Sequence, residues 1–167
     1  MKLWIAQGFG VGRIPFAPGT FGSLLGLGWF ALLLLPKSGW IFGAGIALGL
    51  ALSIWLCGEG ANQLRKKDPG SVILDEITAM PLCFAGAMGV AYSRHRQWPG
   101  ADYFFSAAHG AETAAIFALF RGFDILKPWP VKQSQSLHGG LGITIDDFLA
   151  AGYVNLVVWI ISLFVRG

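Results

Sequence analysis

Two pairs of adjacent carboxylates are the residues of this sequence best suited to chemistry. Asp75 and Glu76 form one pair, and Asp146 and Asp147 form the other. The second pair directly precedes 18 uncharged residues, 148–165. A carboxylate at the centre of a membrane helix costs about 2.5–3.5 kcal/mol on insertion scales. These acids are therefore expected to lie at a membrane surface, to be paired with cations, or to have a functional role.

Helix capping offers a second explanation of the same acids. The turn sequence "DPG" at 68–70 precedes Ser71, a predicted N-cap, and acids early in the following helix would be favourable by about 0.3–1 kcal/mol. Thr144 and Asp147 fit a variant capping box that opens the last helix. Capping explains Asp147 but not Asp146 as well, so the residues leave both explanations open.

The stretch "FRGFDILKPWPV" at 120–131 brings an acid and a base together. Asp124 and Lys127 are three residues apart, and Pro128 and Pro130 end regular structure directly after them. A salt-bridged turn accounts for this stretch if it is taken alone.

A glycine-rich stretch, "GFGVGRIPFAPGTFGSLLG", precedes the first long apolar segment. It matches neither a Walker loop nor a dinucleotide fingerprint. Gly19, Thr20, Gly22 and Ser23 are predicted to open a helix, where backbone N–H groups form a natural anion site. The start of a buried helix is the alternative.

The elements that must position these residues are long apolar segments. The chain is 54% hydrophobic and only 13% charged, against about 25% charged in soluble domains. About 17–25 apolar residues span a bilayer as a helix. The candidate segments are 14–36, 38–58, 77–93 and 148–165, with a weaker fifth, 103–120, that contains His109 and Glu112. We therefore predict one domain, 1–167, that is an all-α, compact multi-helix membrane protein with about five long helices.

The distribution of charge predicts the orientation of this bundle. With five crossings, one side collects eight Lys and Arg residues and the other side four, counting Arg166 with the poorer side. The positive-inside rule places the richer side in the cytoplasm. Seven of the nine carboxylates lie on that side, so we expect the acidic motifs at the cytoplasmic helix ends. This count depends on segment 103–120 crossing the membrane.

Acids from separate stretches on one membrane face suggest a site for a hard metal ion. Mg²⁺ prefers carboxylate oxygens and keeps waters beside substrate phosphate, so the residues point to metal-dependent phosphate chemistry at a membrane surface. Two other functions fit poorly. The net charge is only +3 and no basic block exceeds "RKK", which argues against nucleic acid. Cys57 and Cys83 have no arginine six residues later, as a cysteine phosphatase needs, and we expect both to be small buried or lipid-facing residues.

Four stretches, in order, closely resemble the phosphatidylglycerophosphatase A family of bacterial membrane enzymes. They are "PFAPGTFGSLLG" (15–26), "DPGSVILDE" (68–76), "FRGFDILKPWPV" (120–131) and "GGLGITIDDFLAAGY" (139–153). The resemblance implies a Mg²⁺-dependent hydrolase that removes the terminal phosphate of phosphatidylglycerophosphate to give phosphatidylglycerol in phospholipid biosynthesis. It also implies an all-helical, multi-pass protein of the bacterial inner membrane with its active site facing the cytoplasm.

The resemblance also implies roles for individual residues. The catalytic acids are Asp75, Glu76, Asp124, Asp146 and Asp147, and all of these except Asp124 are expected to bind the metal. Thr20, Ser23 and Lys127 are expected to bind the substrate phosphate. The chain departs from the family pattern in having Ala79 where glycine is usual, Thr144 where methionine is common, and no acid in 132–138.

A non-catalytic lipid-binding or scaffold protein derived from the same family is the alternative function. A transporter would place its binding groups near the bilayer midplane, whereas these acids fall at helix ends. The expected partners are phosphatidylglycerophosphate and membrane lipid, with no nucleic acid, and the sequence leaves a homo-oligomer open.

Overall fold

The computed structural model describes residues 1–164, which form helices and no strand. The helices are α1 (Lys2–Ala6), α2 (Pro18–Leu34), α3 (Gly39–Leu64), α4 (Leu74–Cys83), α5 (Ala85–His95), α6 (Ala101–Phe104), α7 (Gly110–Leu126), α8 (Val131–Ser134) and α9 (Gly140–Phe164), with a 3-10 helix at Gly8–Arg13. The prediction of an all-α fold is therefore confirmed. Val165 and Arg166, which entered the predictions of the last apolar segment and of the charge distribution, lie outside the described residues.

Five long helical segments make up the bundle, as predicted: α2, α3, α4 with α5, α7 and α9. The third is interrupted between α4 and α5. Pro81 lies inside α4 and removes one N–H donor from the helix, and Phe84 then donates to the Pro81 carbonyl in a tighter turn. The two halves together still make a continuous apolar segment, Leu74–His95.

Within residues 1–164, three of these segments are long and apolar enough to cross a membrane: α3, α4 with α5, and α9. The apolar helix α2 is shorter, with 17 residues. Segment 103–120 is not among the three, and its helix α7 begins only at Gly110. His109 precedes that helix and stacks on Tyr103, with ring centroids 3.8 Å apart. Large apolar side chains such as Leu32, Leu48 and Trp159 are exposed on the outer faces of the bundle, as expected for contact with lipid.

Consecutive long segments run in opposite directions, so the same helix ends meet at one end of the bundle. Ser53 of α3 and Thr144 of α9 share a buried hydrogen bond of 2.9 Å, which joins the second half of α3 to the first turns of α9. We call this the acid end; it comprises the first turns of α2, α4 and α9 and the last turns of α3 and α7. Trp98, after α5, packs against Gly39 at the start of α3 and marks the opposite end.

Helix α4 is held close to α2 because α2 offers glycine at the contact. A Cβ added to Gly26 would lie 2.5 Å from Met80 Cβ and 3.0 Å from the Ile77 carbonyl oxygen. This close approach allows the core to form further along the two helices, where Phe30 stacks on Phe84 with centroids 4.0 Å apart. The packing fixes the position of the first turn of α4 relative to α2.

Both predicted caps are wrong. The N-cap of α4 is Ile73, and the Ser71 hydroxyl instead accepts a hydrogen bond from Gln7 Nε2 at 3.2 Å. Helix α9 begins at Gly140, so Thr144 lies inside it and its hydroxyl bonds Ser53. Both side chains therefore bond partners that are distant in the sequence. The expectation that Cys57 and Cys83 are buried is confirmed.

Candidate metal and phosphate site

Three helices bring the predicted acids together at the acid end. The first turn of α4 carries one pair, the last turn of α7 carries a single acid, and α9 carries the second pair about two turns from its start. They line one cleft of about 250 Å³ together with a lysine: Asp75, Glu76, Asp124, Lys127, Asp146 and Asp147. Residues up to 72 positions apart in the chain thus share one cavity.

The five carboxylates form two overlapping groups. In the first, Asp75, Glu76 and Asp147 each offer an oxygen within 4.8 Å of the others. In the second, Asp124, Asp146 and Asp147 do the same. Asp147 belongs to both groups and is only 3% exposed, so it lies at the centre of the cluster.

Two cations hold one side of the cluster. Lys127 Nζ donates to Asp146 Oδ2 at 2.5 Å and lies 3.7 Å from Asp124 Oδ1. Arg121 Nη1 lies 2.9 Å from Asp124 Oδ2. Burial lowers the pKa of Lys127, but the hydrogen bond to Asp146 and the charges of Asp146 and Asp124 outweigh burial and raise that pKa above its ordinary value. Lys127 therefore remains a cation beside the acids.

Arg121 is a residue of the site that the sequence reasoning did not identify. Its Nη1 group also donates to Ser23 Oγ at 3.3 Å, and its buried Nε has no hydrogen-bond partner among the described residues. A Cβ added to Gly19 would meet Glu76 Oε1 and the Arg121 guanidinium. Arg121 therefore lies between the start of α2 and the acids. Its position three residues before Asp124 was the available signal.

Gln135 is the second such residue. Its Nε2 donates to Asp146 Oδ2 at 2.9 Å, beside the bond from Lys127. It belongs to 132–138, the segment without an acid, and there it supplies an amide donor instead. Nothing in its local sequence distinguishes it from Gln133.

The two hydroxyl residues predicted to bind phosphate lie on the first turns of α2 but are not equivalent. Ser23 is fully buried, donates to the Gly19 carbonyl and accepts from Arg121, so it reaches the cluster through the guanidinium. Thr20 is half-buried in the first turn of α2. Neither is among the residues that line the acidic cleft.

The donor atoms present fit a hard divalent cation. Asp75 Oδ1, Glu76 Oε2 and Asp146 Oδ1 are buried and have no hydrogen-bond partner within residues 1–164. Of the described cations, Arg121 and Lys127 form the ion pairs to these five carboxylates, so three formal negative charges remain uncompensated. Buried carboxylates are costly without a counter-charge, and oxygen-only ligand sets are those that Mg²⁺ prefers.

Most of the chain is similar to known proteins. A family model described as phosphatidylglycerophosphatase A matches residues 4–162. A Haemophilus influenzae protein of that name is 38% identical over 161 residues, covering 95% of this chain and 86% of the relative. An Escherichia coli protein of that name is 32% identical over 148 residues, covering 87% and 74%. A Bacteroides thetaiotaomicron protein, provisionally named a phosphatidylinositol-3-phosphatase, is 35% identical over 175 residues, covering 97% and 96%. No solved structure matches the chain.

Proposed function

The chain belongs to the phosphatidylglycerophosphatase A family, and we propose that it hydrolyses phosphatidylglycerophosphate to phosphatidylglycerol and phosphate, using Mg²⁺. The observation that carries this proposal is the acidic cluster, in which five carboxylates from three helices converge with Lys127 and Arg121 beside them. A phosphate monoester is the substrate that needs both kinds of group, since a metal and fixed cations neutralise its oxygens.

The acids of the cleft would hold the metal ion and accept a proton during the reaction. Bound Mg²⁺ would polarise a phosphoryl oxygen, and Asp75, Glu76, Asp146 and Asp147 would hold it. Water forms a bond to phosphorus, the bond from phosphorus to the glycerol oxygen breaks, and that oxygen takes up a proton while a carboxylate of the cleft accepts one from the water.

The cations and the start of α2 serve the phosphate. Lys127 and Arg121 supply positive charge to the phosphate oxygens. The backbone N–H group of Gly19, in the first turn of α2, adds the partial positive charge of a helix start, whereas the Thr20 N–H group already donates to the Ala17 carbonyl. Ser23, whose hydroxyl accepts from Arg121, keeps the guanidinium in place rather than contacting phosphate itself.

A lipid substrate accounts for the position of this cleft at one end of an apolar bundle. We propose that the protein is a multi-pass protein of the bacterial inner membrane, with the acid end facing the cytoplasm. The three long apolar segments support the membrane location. The excess of Lys and Arg at the acid end, where α7 ends, supports the orientation. A head group at the membrane surface then reaches the acids while its acyl chains remain in lipid.

The direct test is phosphate release by the detergent-purified chain. Phosphatidylglycerophosphate should be hydrolysed with Mg²⁺ and not with EDTA, and Asp147→Asn should be inactive while Asp102→Asn, at the opposite end, retains activity. The panel includes phosphatidylinositol 3-phosphate because the Bacteroides relative is provisionally named for it. Faster release from that lipid would replace the proposed substrate. Release from neither, by folded protein that still binds lipid, would favour the non-catalytic alternative.

A further inference from the structure

The acidic cluster contains two groups of possible metal ligands that share one residue. We infer that a first divalent ion binds Asp75, Glu76 and Asp147, that a second binds Asp124, Asp146 and Asp147, and that Asp147 bridges them. This inference rests on the proposed metal-dependent function and adds the number of ions, the bridging ligand and a ligand role for Asp124.

The geometry contains two complete groups rather than a single diffuse one. In each group, three carboxylate oxygens lie within 4.8 Å of one another, a separation that a single ion at their centre can satisfy. Asp147 is the member that the two groups share. Ions bridged in this way lie about 3.5–4 Å apart in known two-metal phosphatases and nucleases, and together they clamp the attacking and leaving oxygens.

Unpartnered oxygens occur in both groups, which is an observation independent of the clustering. Asp75 Oδ1 and Glu76 Oε2 belong to the first group and Asp146 Oδ1 to the second. Asp75 and Asp146 are 7% and 4% exposed, so water does not readily satisfy these atoms. Since a buried carboxylate oxygen without a partner is costly, one ion would leave one of the two groups unsatisfied.

The charges agree with two ions. Three formal negative charges remain in the cluster after Arg121 and Lys127 are counted. A single divalent ion leaves one of them uncompensated, whereas two ions give the cluster a net positive charge that attracts a phosphate dianion. Compared with one ion, two ions therefore compensate all the buried acids and also attract the phosphate group of the substrate.

The groups differ in the contacts that orient their ligands. In the second, Lys127 and Gln135 hold Asp146 Oδ2 and Arg121 holds Asp124 Oδ2, which leaves Asp146 Oδ1 free to bind an ion. Such outer contacts fix a carboxylate before the ion arrives. In the first group, within the described chain, no ion pair reaches Asp75 or Glu76. We expect the second group to fill first.

Mn²⁺ titration of the purified full chain tests the number of ions without an activity readout. By calorimetry, wild type should bind two Mn²⁺ per chain, and at saturation its electron paramagnetic resonance spectrum should show the exchange-coupled pattern of a bridged pair. Glu76→Gln and Asp124→Asn should each bind one ion with an uncoupled six-line spectrum. Asp147→Asn should lose the coupling and bind Mn²⁺ at least tenfold more weakly.

The matched control is Asp102→Asn, an exposed acid at the opposite end, which should still bind two coupled ions. One Mn²⁺ per wild-type chain at saturation, or two ions without coupling, would overturn the bridged pair. Because Glu76 and Asp124 lie on different helices, misfolding of one variant leaves the other to decide. Two bound ions without lipid phosphate release would reject the proposed reaction alone, and Mg²⁺-dependent release with one ion would reject the pair alone.

Discussion

Lys127 Nζ lies 2.5 Å from Asp146 Oδ2, although 19 residues separate them and different helices carry them. Lys127 ends α7 in a left-handed conformation, and Asp146 lies inside α9. The contact therefore joins the end of one helix to the acid pair of another. Asp146 Oδ1, by contrast, is buried and has no hydrogen-bond partner among the described residues.

Lys127→Met is expected to lower both stability and activity. The Asp146 side chain is 4% exposed, so removing its cation leaves a buried charge without a partner. Breaking a fully buried pair costs about 3–5 kcal/mol of stability. Because the Lys127 side chain is 24% exposed, we expect the free energy of unfolding to fall by about 1–3 kcal/mol. Thermal unfolding in detergent measures the loss. Lys132→Met, an exposed lysine of α8, should change little. Adding Asp146→Asn to Lys127→Met should restore part of the stability, and failure to do so would contradict the pairing.

The same pair predicts a pH dependence at the alkaline side. The folded pKa of Lys127 lies above its ordinary value of 10.5, so its stabilising contribution is complete below about pH 10.5 and is lost as the pH rises through the folded pKa. The stability difference between wild type and Lys127→Met should therefore be constant from about pH 8 to 10 and shrink above that range. A difference that shrinks already at pH 8 would show that the lysine is not held as a cation.

Asp147→Asn is expected to raise the melting temperature in EDTA while reducing the stabilisation by Mg²⁺. The substitution removes one uncompensated charge from the cluster but also the carboxylate shared by both groups. At a Mg²⁺ concentration 100 times the dissociation constant, the free energy of unfolding of wild type should rise by about 2.7 kcal/mol. Each kcal/mol should raise the melting temperature by roughly 2–4 °C. Thermal scans with and without Mg²⁺ measure both effects, with Asp102→Asn as the control. A variant less stable than wild type in EDTA would assign Asp147 a structural role instead.

Arg121→Lys should reduce kcat/KM by about 10- to 100-fold, because one charge-assisted hydrogen bond contributes about 1.5–3 kcal/mol and a lysine cannot reproduce the fork of a guanidinium. Inhibition by inorganic phosphate should weaken in parallel, a readout that a purely structural role would not change. Arg94→Lys, at the opposite end of the bundle, is the matched control. Unchanged phosphate inhibition in a folded Arg121→Lys would remove Arg121 from the phosphate site.

Gly26→Ala and Gly28→Ala separate helix packing from helix propensity within α2. The new methyl group at position 26 would press on Met80 and the Ile77 carbonyl, whereas nothing lies within 4 Å of the one at position 28. Gly26→Ala should therefore lower the melting temperature and activity by shifting α4. Gly28→Ala should be neutral or gain up to about 1 kcal/mol from helix propensity. Equal effects of the two substitutions would contradict the close packing of α2 on α4.

Local features of the sequence were enough to predict four of the helical segments and the end of the bundle that carries the acids, whereas the fifth helix is Gly110–Leu126 and not 103–120. Charged residues are excluded from apolar helices, so the order of apolar and charged stretches fixes which helix ends meet. For that reason Asp75, Glu76, Asp146 and Asp147 could be assigned to one end before the fold was known. The failures were also local: Ser71 and Thr144 fit capping patterns but bond Gln7 and Ser53 across the fold.

The composition of the site itself was decided by tertiary structure. Ser23 bonds Arg121 across 98 residues, and Ser53 bonds Thr144 across 91. Such contacts depend on how each helix is rotated about its axis and how closely glycine lets it approach, which no local pattern specifies. The same rotations bring Asp147 between two groups of acids and place Arg121 and Gln135 against them. The sequence by itself determined which residues carry the charge, and the packing of helices alone decided which of those carboxylates lie within 4.8 Å of one another.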